Sequence, residues 1–173
     1  DKILINSKPT WITIPVQNKG NYNEIIKNIK IDYKNNWTSK LFKILEHNYR
    51  KAPCFDSHYE FIKKIISDEH EYLIDLNMKL IKYVMNYFNI KNDTIFSSNL
   101  FIKEKKGFKI LEILKQTNAT NYITGIGSKD YLDENLLSQN NIKTEYLKNN
   151  NNLDDNLSIL HYLFNSNKKD LNV

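Results

Sequence analysis

The order of the elements predicted after residue 94 constrains the fold more than any other feature of the sequence. Short apolar runs at 94–96, 121–124 and 143–147 have the length of strands, and segments with helical spacing of apolar residues separate them at 108–116 and 131–138. Strands that alternate with helices form βαβ units, in which the strands run parallel in one sheet. The sequence therefore predicts an α/β fold with a mostly parallel sheet.

The preceding residues predict a hairpin followed by a helical part at about 37–90. The hairpin consists of β-rich runs at 3–5 and 11–16, joined by a proline-containing link. Apolar residues recur at helical spacing over 37–50, after Asp56 or Ser57, and over 71–88. No linker divides the sequence, so we predict one domain over residues 1–173 with the helical part as an insertion.

The composition limits the classes of ligand and partner that the chain is expected to bind. The net charge is +5, but the lysines are spread over the chain, so a small anionic ligand stays open and a nucleic-acid interface is not predicted. One cysteine, Cys54, excludes an internal disulfide, and the four histidines lack the spacing of a helical metal site. We predict no metal and no cofactor. No apolar run has the length of a membrane span, and we expect a cytoplasmic location, with the oligomeric state open.

Two polar turns follow predicted strands of the sheet. Ser97 and Ser98 end the first strand, and Gly125-Ile126-Gly127-Ser128 joins the second strand to a helix. Ligands bind beyond the carboxyl ends of such strands, and backbone N–H groups before a helix stabilise an anion. Ser97, Ser98, Gly125, Gly127 and Ser128 are therefore candidate substrate contacts. The alternatives are a plain tight turn and serines that cap the chain locally.

The end of the first predicted helix carries a further candidate contact. Tyr49, Arg50 and Lys51 place a phenol and two cations beside the Pro53 turn. We predict that Tyr49 and Lys51 contact an anion or a sugar, with the alternative that the cations only offset the helix dipole. Cys54 reads as an inert or buried thiol, because no histidine partner is identifiable from the sequence.

Several short stretches share an order that resembles the WbqC-like protein family. They cover nearly the whole chain and comprise residues 11–16, Tyr49 with Lys51-Ala52-Pro53, Ser97-Ser98, Tyr122 with Gly125, and residues 157–159 with 163–165. The resemblance implies a bacterial enzyme of surface-polysaccharide (O-antigen type) biosynthesis. We expect a transferase that moves an acyl or aminoacyl group onto a nucleotide-activated or amino sugar. The alternative is a non-catalytic binding or scaffolding subunit of a glycan-assembly complex.

The sequence departs from the family pattern in two places. Family members usually have a Gln-Pro-containing aromatic segment before the point that matches Asp1, so we expect an N-terminally truncated chain whose general base lies in that segment. His161 stands where the family usually has an acidic residue. The strand-to-helix turns are also similar to those of Rossmann-like nucleotide-binding enzymes, which gives the fold prediction of a Rossmann-like three-layer sandwich.

Overall fold

The chain forms two compact units in the computed structural model, which describes residues 1–17, 24–103, 106–147 and 157–167. The first unit comprises Asp1–Lys91 together with Asn156–Val173, and the second comprises Asn92–Asp155. Each unit has its own cluster of buried apolar side chains. The strands are β1 (Lys2–Ile5), β2 (Lys8–Trp11), β3 (Asn121–Thr124) and β4 (Lys143–Tyr146). The α-helices are α1 (Trp37–Tyr49), α2 (Phe55–Ser67), α3 (Leu73–Phe88), α4 (Lys106–Gln116), α5 (Glu134–Gln139) and α6 (Ile159–Asn165).

The N-terminal hairpin is confirmed, but the prediction of its second strand was wrong. Asn6 and Ser7 adopt left-handed angles, with φ of 50° and 60°, and form a two-residue turn that suits the twist of a hairpin. This turn pairs Ile5 with Lys8, so the ladder ends where Trp11 reaches Lys2. The second strand is therefore Lys8–Trp11 rather than 11–16.

The three long helices of the first unit agree with the predicted helical segments, except that α2 begins at Phe55, before Asp56 and Ser57 rather than after them. On α1, Trp37, Leu45 and Tyr49 lie at helical spacing and are buried, as the pattern of apolar residues predicts. Pro53 follows the helix, since the residue before a proline avoids helical angles. Asn89 adopts a left-handed conformation at the end of α3, where its φ is 57°.

Tyr49 joins three segments of the first unit. Its ring packs against Phe164 of α6 with 5.3 Å between ring centroids, and Phe164 also packs against Phe55 of α2. The Tyr49 hydroxyl accepts a hydrogen bond of 2.8 Å from the backbone N–H of Leu4 in β1. Ile3 beside it is fully buried. The hairpin, α1 and α6 are thus held together at one aromatic side chain.

The second unit confirms the coarser α/β prediction. β3 and β4 pair in parallel, and α5 lies between them in the sequence. Leu111 and Leu114 of α4 are buried together with Leu137 and Ile142. The parallel sheet of the described residues has two strands, and the Rossmann-like three-layer sandwich stays a prediction.

Two element predictions in the second unit were wrong. Residues 94–96 are exposed and form no strand; Ile95 and Phe96 have no neighbouring strand to pair with in the described part of the chain. The helix predicted over 131–138 begins only at Glu134, because the Asp133 carboxylate accepts the Leu136 N–H at 2.9 Å and fixes the first turn there. Across the described ranges, no helix is both long enough and apolar enough to cross a membrane.

Replacing Tyr49 by phenylalanine tests the role of its hydroxyl. Tyr49→Phe keeps the ring packing but leaves the Leu4 N–H without its acceptor, which costs about 1–3 kcal/mol when the group is buried. We expect the free energy of unfolding, measured by urea denaturation with circular dichroism, to fall by that amount. Tyr131→Phe, at an exposed position, should change it little. Equal stability of the two variants would contradict this role.

Candidate functional site

A cavity of about 540 Å³ opens beside the C-terminal half of α1. Its lining residues are polar and all lie between positions 43 and 51: Lys43, Glu46, His47, Asn48, Arg50 and Lys51. We call it the basic cavity, because three permanent cations face one carboxylate there. It lies entirely within the first unit.

Helical spacing brings the cations together. Lys43, His47 and Lys51 recur every four residues, which places them along one face of α1 and its continuation. Arg50 has helical angles at the C-cap, and its spacing of three residues from His47 and seven from Lys43 places it on the same face. Within the described ranges, no carboxylate lies within ion-pair distance of Lys43, Arg50 or Lys51. Their side chains are exposed and available to an anion.

The other polar side chains of the basic cavity are engaged in the fold. The Glu46 carboxylate accepts a hydrogen bond from the Tyr59 hydroxyl, and burial together with this carboxylate raises the pKa of Tyr59. Asn48 accepts from the Asn6 N–H at 3.0 Å and donates to the Ile44 carbonyl at 2.8 Å. These contacts fix the wall of the cavity on the side of Glu46 and Asn48.

Lys51 and Tyr49 lie in different surroundings, although the sequence placed them together as substrate contacts. Lys51 lines the basic cavity, whereas Tyr49 is 3% exposed and points into the core. The Tyr49 hydroxyl also lies 3.2 Å from Nδ1 of His161, and burial raises the pKa of the phenol. Lys51 therefore faces the basic cavity, while the Tyr49 phenol packs in the core and positions the turn that carries Lys51.

The other five candidate contacts belong to the second unit. Ser97 and Ser98 are exposed in a single 3₁₀ turn, Ser97–Asn99. Ser128 is buried and donates its hydroxyl to the Gly125 carbonyl at 2.9 Å. The turn follows β3 and precedes α5, as predicted, but it is a 3₁₀ turn at Ile126–Ser128, and α5 begins only at Glu134.

The backbone conformation of this turn does not require glycine at position 125 or 127. Gly125 has a φ of −77°, and a Cβ added to Gly125 or Gly127 would meet no atom within 4 Å. The turn itself would therefore tolerate a side chain at either position. The phenol of Tyr146 donates to Glu134 in the same unit, and this hydrogen bond is the main cause that raises its pKa to about 12.

The sequence interpretation missed Lys43 and His47 as members of the site. Their spacing from Lys51 was the available signal, since residues four apart share a helical face. The sequence prediction for His47 concerned only metal binding. In the described part of the chain, no group of three histidine, cysteine or acidic side chains is placed to hold a metal ion.

A second cavity, of about 460 Å³, also lies within the first unit, between the start of α2 and the end of α3. We call it the thiol cavity, because Cys54 lines it together with His58. The Cys54 thiol donates to the Asn167 side-chain oxygen at 3.2 Å, and His58 Nδ1 lies 2.7 Å from the Tyr83 hydroxyl. Cys54 is buried, as expected, and it shares this cavity with His58, which the sequence did not reveal.

Comparison with known proteins gives two matches. The model of the WbqC-like protein family matches residues 1–173. The uncharacterized protein Rv1507c of Mycobacterium tuberculosis is 27% identical over 137 residues, which cover 79% of this chain and 59% of that protein. The chain thus matches less than two thirds of this relative's length. No solved structure matches the chain.

The burial of His58 predicts a pH dependence of stability. Burial lowers the pKa of His58, whereas the unfolded chain keeps the ordinary value of about 6.5. Below that pH the unfolded state binds the proton first, so the folded state loses stability as the pH falls. We expect the free energy of unfolding to decline more steeply from about pH 7 to about pH 5 in the wild type than in His58→Gln. Parallel curves from urea denaturation would contradict this assignment.

Proposed function

The chain belongs to the WbqC-like protein family, and from this premise we propose that it acts in bacterial polysaccharide biosynthesis on a sugar substrate that carries phosphate. The membership supports the biosynthetic role, and the basic cavity supports the phosphate. The reaction that we propose is transfer of an acyl or aminoacyl group to the amino group of a nucleotide-activated sugar.

The observation that carries this proposal is the group of cations without carboxylate partners. Lys43, Arg50 and Lys51 line one cavity of about 540 Å³, and no ion pair in the described residues engages them. A nucleoside diphosphate sugar presents two adjacent phosphates, which lysine and arginine bind through charge-assisted hydrogen bonds. The cavity volume lies in the range of small-ligand sites.

The residues of the second unit enter the proposal as further substrate contacts. Ser97 and Ser98 offer exposed hydroxyls, and the turn offers the backbone N–H groups of Gly125 and Gly127, whereas the Ser128 N–H donates to the Gly125 carbonyl at 3.1 Å. We propose that they bind a sugar or nucleotide on the second unit, and we propose a Rossmann-like three-layer sandwich as the fold. Tyr49 would act indirectly, because its packing positions the turn that carries Lys51.

Binding of nucleotide sugars to paired variants tests the cavity. The probes are nucleoside diphosphate sugars with uridine, guanosine or thymidine bases, measured by isothermal titration calorimetry at low salt. Lys43→Gln combined with Lys51→Gln should weaken binding at least about tenfold, since each charge-assisted hydrogen bond contributes about 1.5–3 kcal/mol. Lys82→Gln, on the exposed side of α3, is the matched control and should leave binding unchanged.

The salt dependence separates phosphate recognition from other binding. Affinity should fall as the salt concentration rises, and this dependence should be weaker in the double variant, because two cations no longer contribute. If no nucleotide sugar binds the wild type, the phosphate-bearing substrate is excluded, and the non-catalytic scaffolding role becomes the better explanation. Equal weakening by Lys82→Gln would also overturn the assignment of the basic cavity.

A further inference from the structure

The thiol cavity places a nucleophile, a proton acceptor and apolar walls in one concave site. Cys54 lies immediately before α2, and His58 lies one turn into that helix. Both side chains line the cavity, together with Phe61, Tyr83 and Tyr87. Cys54 and His58 are four residues apart and line the same cavity. A thiol and a histidine in one site can perform nucleophilic catalysis, in which the histidine takes the proton and the sulfur attacks a carbonyl.

The position of Cys54 is fixed by its backbone and by its side chain. Its N–H donates to the Phe164 carbonyl at 2.9 Å, and its thiol donates to the Asn167 oxygen at 3.2 Å. α2 is thirteen residues long, so the amides of its first turn present partial positive charge at the end where the thiol lies. These amides suit the negative charge that develops on an attacked carbonyl oxygen.

His58 is held as a neutral, oriented imidazole. It is 2% exposed, its Nδ1 lies 2.7 Å from the Tyr83 hydroxyl, and its ring meets Tyr87 edge-on at 4.6 Å between centroids. Burial lowers the pKa of His58, so the imidazole is neutral and can accept a proton. In the tautomer whose Nδ1–H donates to Tyr83, the lone pair lies on Nε2. Tyr83 is a positioning residue that holds the His58 ring through Nδ1, and the proposal uses the tautomer in which the Tyr83 hydroxyl accepts.

We propose that Cys54 is a catalytic nucleophile that carries the acyl group as a thioester, with His58 as its general base. The inference rests on the proposed acyl transfer and names the group that performs its first half. The donor class is an acyl thioester of a small carrier thiol, and the acceptor is the primary amine of an amino sugar. The apolar walls formed by Phe61 and Tyr87 suit a short acyl chain.

The two steps balance in atoms and charge. In the first, the Cys54 thiol turns its hydrogen from the Asn167 oxygen to His58, and Sγ forms a bond to the donor carbonyl carbon. The bond from that carbon to the donor sulfur breaks, and His58 passes the proton to the departing thiolate. In the second, the sugar amine forms the new amide bond, the bond between the carbonyl carbon and Sγ breaks, and the amine proton returns through His58 to Sγ. No oxidant or reductant is needed.

Acylation of the whole protein by acetyl coenzyme A tests the first step. Intact-protein mass spectrometry should show a gain of one acetyl group that neutral hydroxylamine removes, because hydroxylamine cleaves thioesters and leaves amides. Cys54 is the sole cysteine of the chain, so a hydroxylamine-labile adduct identifies it. Cys54→Ala should show none, and His58→Gln should acylate about a hundredfold more slowly.

Tyr83→Phe keeps the test decisive if His58→Gln does not fold. It retains the ring but removes the hydroxyl that holds Nδ1, so acylation should slow, while Tyr72→Phe at the N-cap of α3 should leave the rate unchanged. The pH profile of acylation should move to a different apparent pKa in Tyr83→Phe, which a merely structural residue would not cause.

Two results would overturn the inference. One is the absence of a labile adduct on the folded wild type when the urea-unfolded chain does form it. The other is an equal acylation rate in the wild type and in a folded His58→Gln or Tyr83→Phe variant. The proposed function fails separately, since it is judged by nucleotide-sugar binding at Lys43 and Lys51. Acylation without such binding would keep the thioester and remove the phosphate-bearing acceptor.

Discussion

The first unit depends on the buried hydroxyl of Tyr49. A tyrosine in a core needs partners for its polar end, and here the hydroxyl accepts the Leu4 N–H and lies 3.2 Å from His161 Nδ1. The ring meanwhile packs on Phe164. This one residue therefore sets the positions of the hairpin, α1 and α6. Because it is the last residue of α1, it also fixes where the chain turns toward α2.

That turn carries both candidate sites. The Tyr49 carbonyl accepts the Ala52 N–H at 2.8 Å, and the Ala52 carbonyl accepts the Phe55 N–H at 3.1 Å, so the segment is closed by its own backbone. Lys51 then lines the basic cavity and Cys54 lines the thiol cavity, only three residues apart. The proposed transfer needs a place for the acyl carrier and a place for the acceptor, and this one turn supplies side chains to both cavities.

The helical part was predictable from local pattern, and the sites were predictable only in part. Apolar residues at helical spacing gave α1, α2 and α3 because each helix buries a single face. The strand predicted at 94–96 was wrong. A run of three residues forms a strand only where a neighbouring strand pairs with it, and the local sequence does not show whether such a neighbour exists. The contact of Cys54 with Asn167 spans 113 residues, so no local pattern reveals it. The basic face of α1 was available from the spacing of Lys43, His47 and Lys51, but only if the helix was extended past its end.

Tyr49 also explains how a histidine at position 161 can replace the acidic residue of the family pattern. Burial raises the pKa of Tyr49, so the phenol stays protonated, and its hydroxyl can accept from Leu4 while donating to a neighbour. An acidic side chain, which the family usually has here, would accept that donated hydrogen through a carboxylate oxygen. Nδ1 of His161, which lies 3.2 Å from the Tyr49 hydroxyl, accepts it in the tautomer that carries its hydrogen on Nε2. The exchange of acid for histidine therefore keeps an acceptor for the phenol. On this reasoning position 161 serves the fold by completing the Tyr49 hydrogen bond.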